Sequence, residues 1–198
     1  AACEPALAGI AGGPLTRTVA GSTLRFSPST FFQANAPLLE DLVNEVTAEE
    51  SGTVAVDLYC GVGLFTIPLG RRFASVVGVE SNPDAARFAR ENAASNSAVN
   101  VEVVAERVES WLARTKTRDQ RPDLVVLNPP RTGAAEAIRA IASLDPARIT
   151  YVSCDPATLA RDLALLAGEG YRLERVTGFD LFPQTFHVET IVRLTNKR

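Results

Sequence analysis

From residue 52 onward the chain alternates between short, nearly all-apolar runs and longer stretches with helical periodicity, and this alternation limits the possible folds most. Seven runs are predicted to be strands: Val54–Leu58, Ser75–Glu80, Val101–Val104, Leu124–Leu127, Ile149–Ser153, Tyr171–Phe179 and Val188–Leu194. Helices are predicted between most of them: Phe65–Arg72, Pro83–Asn96, Glu106–Arg114, Ala134–Ala142 and Pro156–Ala167. This pattern is typical of a doubly wound α/β fold with a mostly parallel sheet covered on both faces. Because no helix separates the last two strands, they are predicted to form an antiparallel pair at one edge.

The residues before this pattern are predicted to form a hairpin and one helix. Thr16–Val19 and Thr23–Phe26 read as two short strands joined by a tight turn. Asn35 is predicted to cap a helix, and Pro37 suits its first turn. The apolar face of that helix consists of Leu38, Leu39, Leu42, Val43 and Val46.

Length and composition set the domain count and the expected compartment. A chain of 198 residues can hold one substantial domain, which we assign to residues 35–198, with residues 1–34 as a segment packed on its edge. No apolar run is long enough to cross a bilayer, and no leader is recognisable. Three cysteines without a C-x-x-C pair, and a single histidine, predict neither a disulfide framework nor a metal site. We therefore expect a cytoplasmic protein with no membrane association.

A glycine pair follows the first of the seven strands. Gly61 and Gly63 allow the backbone to turn sharply and to approach a ligand without a Cβ in the way. Glu80 ends the next strand, 23 positions after Asp57, where an acid accepts hydrogen bonds from the ribose of a nucleoside. Thr66 stands where a dinucleotide-binding fingerprint requires its third glycine, which favours a nucleoside without phosphates. The alternative is a tight turn followed by a solvent-facing Glu80.

Two further strand ends carry candidate chemistry. Asn128 is followed by two prolines, which fix a rigid, extended exit and leave the Asn128 side chain at the rim of the sheet. Cys154 is predicted just before a helix N-terminus, where the helix dipole favours a thiolate, with Asp155 as the N-cap. A small buried cysteine that ends a strand is the alternative for Cys154. Near the end of the chain, His187 taken alone is more typical of a structural residue, and Glu189 of a surface residue.

Taken together, these segments resemble the RNA (uracil-5-)-methyltransferases, which make 5-methyluridine in transfer and ribosomal RNA. The resemblance covers roughly residues 25 to 195. It is carried, in order, by Phe31-Phe32-Gln33-Ala34-Asn35, Asp57-Leu58-Tyr59-Cys60-Gly61, Asn128-Pro129-Pro130-Arg131-x-Gly133, Tyr151-Val152-Ser153-Cys154 with Thr158, and Phe179 through Glu189. It implies a class I S-adenosylmethionine-dependent methyltransferase domain, that is, a Rossmann-like fold.

The resemblance also implies roles for individual residues. Cys154 is expected to be the nucleophile that adds to carbon 6 of a uridine, and Glu189 the general base that removes the proton from carbon 5. The expected cofactor is S-adenosylmethionine, and the residues expected to line its site are Gln33, Tyr59, Gly61, Gly63, Glu80 and Asn128. The expected partner is an rRNA or tRNA substrate, and a monomer is expected.

The chain also departs from the family. Asn128 replaces the commoner Asp, and Asp155 replaces the usual Asn, which places a carboxylate beside the proposed nucleophile. Complete members carry an amino-terminal RNA-binding barrel that is missing from this sequence. Together with the net charge of −3 and the absence of methionine, this predicts a piece of a longer polypeptide, a processed product being the alternative. Two other functions stay open: an amino-group methyltransferase that uses the N-P-P-R loop, and an S-adenosylmethionine-binding module without turnover.

Overall fold

The computed structural model describes residues 13–33, 35–115 and 121–197. The strands are β1 (Leu15–Val19), β2 (Ser22–Phe26), β3 (Gly52–Leu58), β4 (Phe73–Glu80), β5 (Val101–Ala105), β6 (Leu124–Leu127), β7 (Arg148–Ser153), β8 (Tyr171–Phe179) and β9 (Glu189–Asn196). The helices are α1 (Ala36–Thr47), α2 (Thr66–Leu69), α3 (Pro83–Ser95), α4 (Val108–Arg114), α5 (Ile138–Ser143) and α6 (Pro156–Gly168). In these residues no helix is long and apolar enough to span a membrane.

Strands β3 to β9 form one sheet in the order β5-β4-β3-β6-β7-β9-β8. The first five strands of this order are parallel, and β9 is antiparallel to both β7 and β8. The predicted doubly wound, mostly parallel seven-stranded sheet with an antiparallel edge is therefore confirmed. After β3 the chain adds β4 and β5 on one side, and then adds β6 and the later strands on the other side of β3. The carboxyl ends of β3 and β6 therefore flank the crevice where such sheets bind ligands.

Apolar side chains cover both faces of the sheet. Residues of α4, α5 and α6, with Trp111 and Tyr171, pack on one face against β6 and β7. On the other face, Leu39, Leu42 and Phe65 belong to a second cluster that includes α1 and α2. Burial on both faces explains why the central strands are apolar at nearly every position.

Two predicted helices are shorter than expected. The helix predicted over Phe65–Arg72 is limited to α2, because Gly70 packs where a Cβ would lie 2.9 Å from Val101 and the chain turns directly into β4. The helix predicted to begin at Ala134 begins at Ile138, because residues 134–137 form a tighter turn in which Ala137 N donates to Ala134 O at 2.8 Å. These segments have the composition of helices, but packing and loop geometry limit their length.

Asn35 precedes α1, as predicted, but its side chain does not cap the helix. Its Nδ2 instead donates to the carbonyl oxygen of Leu181, at 3.1 Å. The start of α1 is thereby tied to the segment that leads into β9.

The predicted hairpin is formed by β1 and β2, and Asn92 of α3 fastens it to the domain. Asn92 is fully buried; its Oδ1 accepts from Arg25 N (2.8 Å), and its Nδ2 donates to Arg25 O (3.0 Å). The same Nδ2 also donates to the carbonyl oxygen of Val62, at 2.9 Å. Asn92 therefore joins the hairpin to the loop between Gly61 and Gly63.

Replacing Asn92 with alanine is expected to destabilise the protein by about 2–4 kcal/mol, because three backbone groups, one buried and two part-buried, lose their partner. For a chain of this length the midpoint of thermal unfolding should fall by roughly 5–15 °C. Thermal denaturation followed by circular dichroism measures the change. Asn96→Ala, one helical turn away, is the matched control, because Asn96 makes the corresponding pair of hydrogen bonds with the backbone of Thr23 at an exposed position. An equal loss in both variants would contradict a special role for Asn92.

Candidate functional site

The loop after β3 has an unusual backbone. Gly61 and Gly63 both have positive φ angles, 56° and 93°, and Tyr59 has one of 61° although it is not a glycine. A tyrosine in this conformation costs on the order of 1–3 kcal/mol, and such residues cluster at functional sites. The open side of Gly61 has no atom within 4 Å of the position that a Cβ would take. The loop therefore presents bare backbone to the crevice between β3 and β6.

Glu80 shapes this loop from the end of β4. Its Oε2 accepts from Gly61 N at 2.9 Å, and its Oε1 accepts from Asn82 N at 2.7 Å. Each carboxylate oxygen retains acceptor capacity toward the crevice. The sequence predicts Glu80 only as a ribose ligand, and this role stays a prediction. The hydrogen bond between Glu80 and Gly61 of the glycine loop was not predicted.

Asp57 and Thr66 form a buried pair beneath the loop. Thr66 Oγ1 donates to Asp57 Oδ2 at 2.5 Å, and Asp57 has no exposed surface. Burial raises the pKa of Asp57 to about 7, against the opposing hydrogen bond from Thr66. Within the described parts of the chain, Asp57 Oδ1 has no hydrogen-bond partner. In the sequence, Thr66 was noted only because it stands where a dinucleotide-binding fingerprint requires glycine. Its hydrogen bond with Asp57 was therefore not predicted.

Tyr59 and Asn128 lie on opposite sides of the crevice. Tyr59 is half-buried, and its hydroxyl donates to Glu109 at 3.3 Å. Asn128 is also half-buried, and its N–H donates to Leu58 O at 3.3 Å, which continues the pairing of β3 with β6. A cleft of about 550 Å³ opens beside Tyr59, between the start of α4 and residues 130–136 of the loop after β6.

Cys154 follows β7 directly and precedes α6, as predicted. It is half-buried, and its carbonyl oxygen accepts a hydrogen bond from His187 Nδ1 at 3.2 Å. Ser153 Oγ lies 3.2 Å from both the N–H and the carbonyl oxygen of Asp155, which closes a turn around the cysteine. The role of His187 was missed in the sequence; its position two residues from Glu189 was the available signal.

Asp155 caps α6. Its Oδ1 accepts from Thr158 N (2.9 Å) and Ala157 N (3.0 Å), and also from the hydroxyl of Thr158. The hydrogen bonds from Thr158 and Ala157 lower the pKa of Asp155, with the backbone N–H of Thr158 contributing most. The carboxylate beside Cys154 is thus directed into the first turn of the helix, where the helix dipole favours a negative charge.

Glu189 begins β9 next to Cys154. Because Ser153 pairs with Thr190 in the antiparallel ladder of β7 and β9, one further step sets Cys154 opposite Glu189. Glu189 is only 1% exposed, and among the described residues its Oε2 has no hydrogen-bond partner. Burial raises its pKa to about 7, although a hydrogen bond from the buried side chain of Gln33 acts in the opposite direction. A carboxyl with this pKa is suited to accept a proton near neutral pH.

Raised pKa values of buried acids make stability depend on pH. A carboxyl whose pKa is higher in the folded than in the unfolded chain stabilises the fold fully below its unfolded value, and this contribution is lost as pH rises through the folded value. For Glu189 the window runs from about 4.5 to about 7. The free energy of unfolding of Glu189→Gln should therefore rise relative to that of the wild type between pH 5 and pH 8, by up to about 3 kcal/mol. Urea denaturation at both pH values measures the difference; a pH-independent difference would contradict it.

The structure gathers the predicted residues into two neighbouring groups. Gln33 contacts Glu189, and Glu189 and Cys154 each adjoin the last pair of the β7–β9 ladder, Ser153 with Thr190; the loop of Gly61 with Glu80 lies across the crevice. Gln33 was predicted to line the cofactor site; the contact seen for its side chain is with Glu189. Its role toward a cofactor stays a prediction, as do the roles of the other site residues.

Three known proteins are informative for comparison. The chain is 42% identical over 175 residues to the 23S rRNA (uracil(1939)-C(5))-methyltransferase RlmD of Pseudomonas aeruginosa, covering 85% of this chain and 38% of that protein. It is 43% identical over 171 residues to an uncharacterised RNA methyltransferase of Thermotoga maritima, covering 84% of this chain and 38% of that protein. The structure of Pyrococcus abyssi tRNA (uracil-54, C5)-methyltransferase in complex with S-adenosyl-L-homocysteine superimposes with a TM-score of 0.80 at 31% identity, covering 92% of this chain and 44% of that one.

The chain thus spans about two fifths of the length of the curated relatives it matches. The family model described as tRNA (Uracil-5-)-methyltransferase matches residues 18–197, which include β2, the glycine loop and both candidate catalytic residues. The chain therefore belongs to the tRNA (uracil-5-)-methyltransferase family.

Proposed function

We propose that residues 35–198 are the catalytic domain of a cytoplasmic enzyme that transfers a methyl group from S-adenosylmethionine to carbon 5 of a uridine in rRNA or tRNA. One observation carries the proposal: Cys154 lies opposite a buried acid, Glu189, at the end of the β7–β9 ladder. Membership of the family and the names of the relatives support uridine in RNA as the target.

Carbon 5 of uracil is a poor nucleophile, which is the difficulty that Cys154 addresses. Its thiolate adds to carbon 6, and the electrons of the C5–C6 double bond move to form an enolate with nucleophilic character at carbon 5. The position of Cys154 before α6, with the cap of Asp155 directed away from it, supports this role. Bound S-adenosylmethionine supplies the methyl group that carbon 5 then receives.

Glu189 completes the cycle. Its carboxylate accepts the proton from carbon 5, the C5–C6 double bond re-forms, and the S–C6 bond breaks to return the thiolate of Cys154. Gln33 is hydrogen-bonded to Glu189 and holds the carboxylate in place. A pKa of about 7 supports a base that is partly ionised at neutral pH.

The residues around the glycine loop suit the proposed cofactor. Asp57 Oδ1 is a buried acceptor without a partner among the described residues, and Gly61 leaves its open side free of side chains. A cationic nucleoside without phosphates matches such a site better than a dinucleotide does. The residues that would hold it are Gln33, Tyr59, Gly61, Gly63, Glu80 and Asn128.

Covalent trapping tests the proposal. The protein is incubated with S-adenosylmethionine and RNA in which 5-fluorouridine replaces uridine, and a denaturation-resistant complex is sought by gel electrophoresis. Because fluorine cannot leave carbon 5 as a proton does, the enzyme should remain attached to its substrate. Methylation of an exocyclic amino group without any adduct would instead support the amino-group alternative. Calorimetric binding of S-adenosylmethionine without any methyl transfer would support the binding module.

A further inference from the structure

The loop after β6 makes few hydrogen bonds of its own. Pro129 and Pro130 have no N–H group, so neither can hold the loop by donating a backbone hydrogen bond. Within the loop, Gly133 N donates to Pro130 O at 2.8 Å, which only closes a local turn. Asn128 N, which donates to Leu58 O, holds only the start of this loop, residues 128–134, so the position of its far end depends on groups elsewhere.

Asp162 of α6 makes one of the contacts that hold this loop. It is fully buried, and its Oδ2 accepts from Ala134 N and from the hydroxyl of Tyr151, both at 2.7 Å. Its Oδ1 forms an ion pair with Arg161, whose Nη2 lies at 2.8 Å. Burying a carboxyl group is unfavourable unless hydrogen-bond donors satisfy its oxygens, so removing one of these partners costs stability.

Arg161 makes the second contact that holds this loop. Its Nη2 donates to the carbonyl oxygen of Thr132 at 2.8 Å while it also contacts Asp162. The two fastened residues, Thr132 and Ala134, flank Gly133, which has a φ of 77°. A Cβ at Gly133 would lie 2.5 Å from both Arg161 and Asp162, so only glycine lets the loop come this close.

The helix that holds the loop is also the helix that follows the nucleophile. Arg161 and Asp162 lie within the first two turns of α6, about 10 Å along its axis from the residue after Cys154. One helix therefore contacts the loop of Asn128 from its middle and follows the candidate nucleophile at its N-terminus.

We propose that Arg161 and Asp162 are positioning residues that fix the loop of residues 128–134 relative to Cys154 and thereby set the rate of the covalent step. This rests on the proposed function. Neither side chain needs to touch the substrate; both act through the backbone at Thr132 and Ala134. Small displacements of a positioned group slow a reaction strongly, because reacting atoms must be aligned to within about 0.5 Å.

The test compares Arg161→Ala and Asp162→Asn with the control Tyr151→Phe. The side chain of Arg161 is 47% exposed, and Asp162 keeps its donors Ala134 N and Tyr151, so removal of Arg161 should lower stability without unfolding the protein. The control removes a hydrogen bond to Asp162 from β7 but keeps both contacts with the loop. Three quantities are measured: hydrogen–deuterium exchange at the Ala134 amide by NMR, binding of S-adenosylhomocysteine by calorimetry, and the rate of adduct formation with the 5-fluorouridine RNA.

We expect both loop variants to exchange Ala134 at least tenfold faster and to form the adduct at least tenfold more slowly. Their affinity for S-adenosylhomocysteine should fall by a smaller factor than the adduct rate does, because of the proposed cofactor residues only Asn128 belongs to this loop, while Gly61, Gly63 and Glu80 lie outside it. Tyr151→Phe should be less stable, because Asp162 loses one donor, but it should stay within twofold of the wild type in all three quantities, since both contacts with the loop remain. An unchanged adduct rate in Arg161→Ala, or an equally slow one in Tyr151→Phe, would overturn the proposal.

Failure of the proposed function gives a different result. A wild-type protein that forms no adduct would reject the covalent mechanism, whereas exchange at Ala134 would still report whether Arg161 and Asp162 hold the loop. Unchanged protection of Ala134 in both loop variants would then reject the positioning role on its own.

Discussion

Replacing Cys154 with alanine is expected to abolish the covalent complex with 5-fluorouridine RNA and to lower methyl transfer by at least about 10⁴-fold. Without the thiolate, carbon 5 of the uridine keeps its aromatic electron distribution and cannot attack a methyl group at a useful rate. Transfer of tritium from labelled S-adenosylmethionine measures turnover, and gel electrophoresis after denaturation measures the complex. Binding of S-adenosylhomocysteine should change little, which separates a chemical defect from a folding defect.

Cys60 provides the matched control for this substitution. It is the other cysteine in the described residues, and it is buried in a small apolar cluster with Ala86, Ala89 and Val103. Cys60→Ala should cost some stability by leaving a small cavity but should retain the covalent complex. A complex that persists in Cys154→Ala and disappears in Cys60→Ala would reverse the assignment of the nucleophile.

Replacing Glu189 with glutamine should have the opposite effect on the covalent complex. The thiol can still add and carbon 5 can still be methylated, but the proton on carbon 5 has no base to accept it. The complex should therefore accumulate on ordinary RNA, while product formation falls by roughly 10²–10⁴-fold. Mass spectrometry of the intact complex, with its added methyl group, measures the accumulation.

The pH dependence gives an independent check on Glu189. The base must be ionised to accept a proton, so in the wild type resolution of the complex should accelerate as pH rises and level off above the pKa of about 7. Glu189→Gln should lose this dependence, while Asp155→Asn should keep it. A wild-type rate that is constant between pH 5.5 and pH 8 would exclude Glu189 as the base.

The sequence predicts the elements of this fold well because they are set by local patterns. Each central strand is an apolar run between turn-forming residues; the bounds of Leu124–Leu127 agree with the prediction, while β3 and β4 begin two residues earlier than predicted. The lengths of α2 and α5 were overestimated because Gly70 and the turn at Ala134 act through packing and loop geometry, which periodicity does not contain.

The candidate site is predicted only in part, for a related reason. The order of motifs identifies Cys154 and Glu189 as a pair, but their proximity depends on the register in which Ser153 meets Thr190. Contacts such as Thr66 with Asp57 or Asp162 with Ala134 join residues 9 and 28 positions apart, and they exist only once the sheet and its loops are assembled. No local pattern in a single sequence encodes them.

The hydrogen bonds of Asn92 imply a reciprocal coupling between two parts of the molecule. One amide group holds both the hairpin at Arg25 and the glycine loop at Val62. If a ligand binds more tightly when the hairpin is docked, thermodynamic linkage requires that the bound ligand protect the hairpin from local unfolding by the same factor. Loss of the docked hairpin then weakens the ligand by that coupling factor. The β1–β2 segment, which contributes no candidate catalytic residue, is therefore a site from which the affinity of the crevice can be tuned.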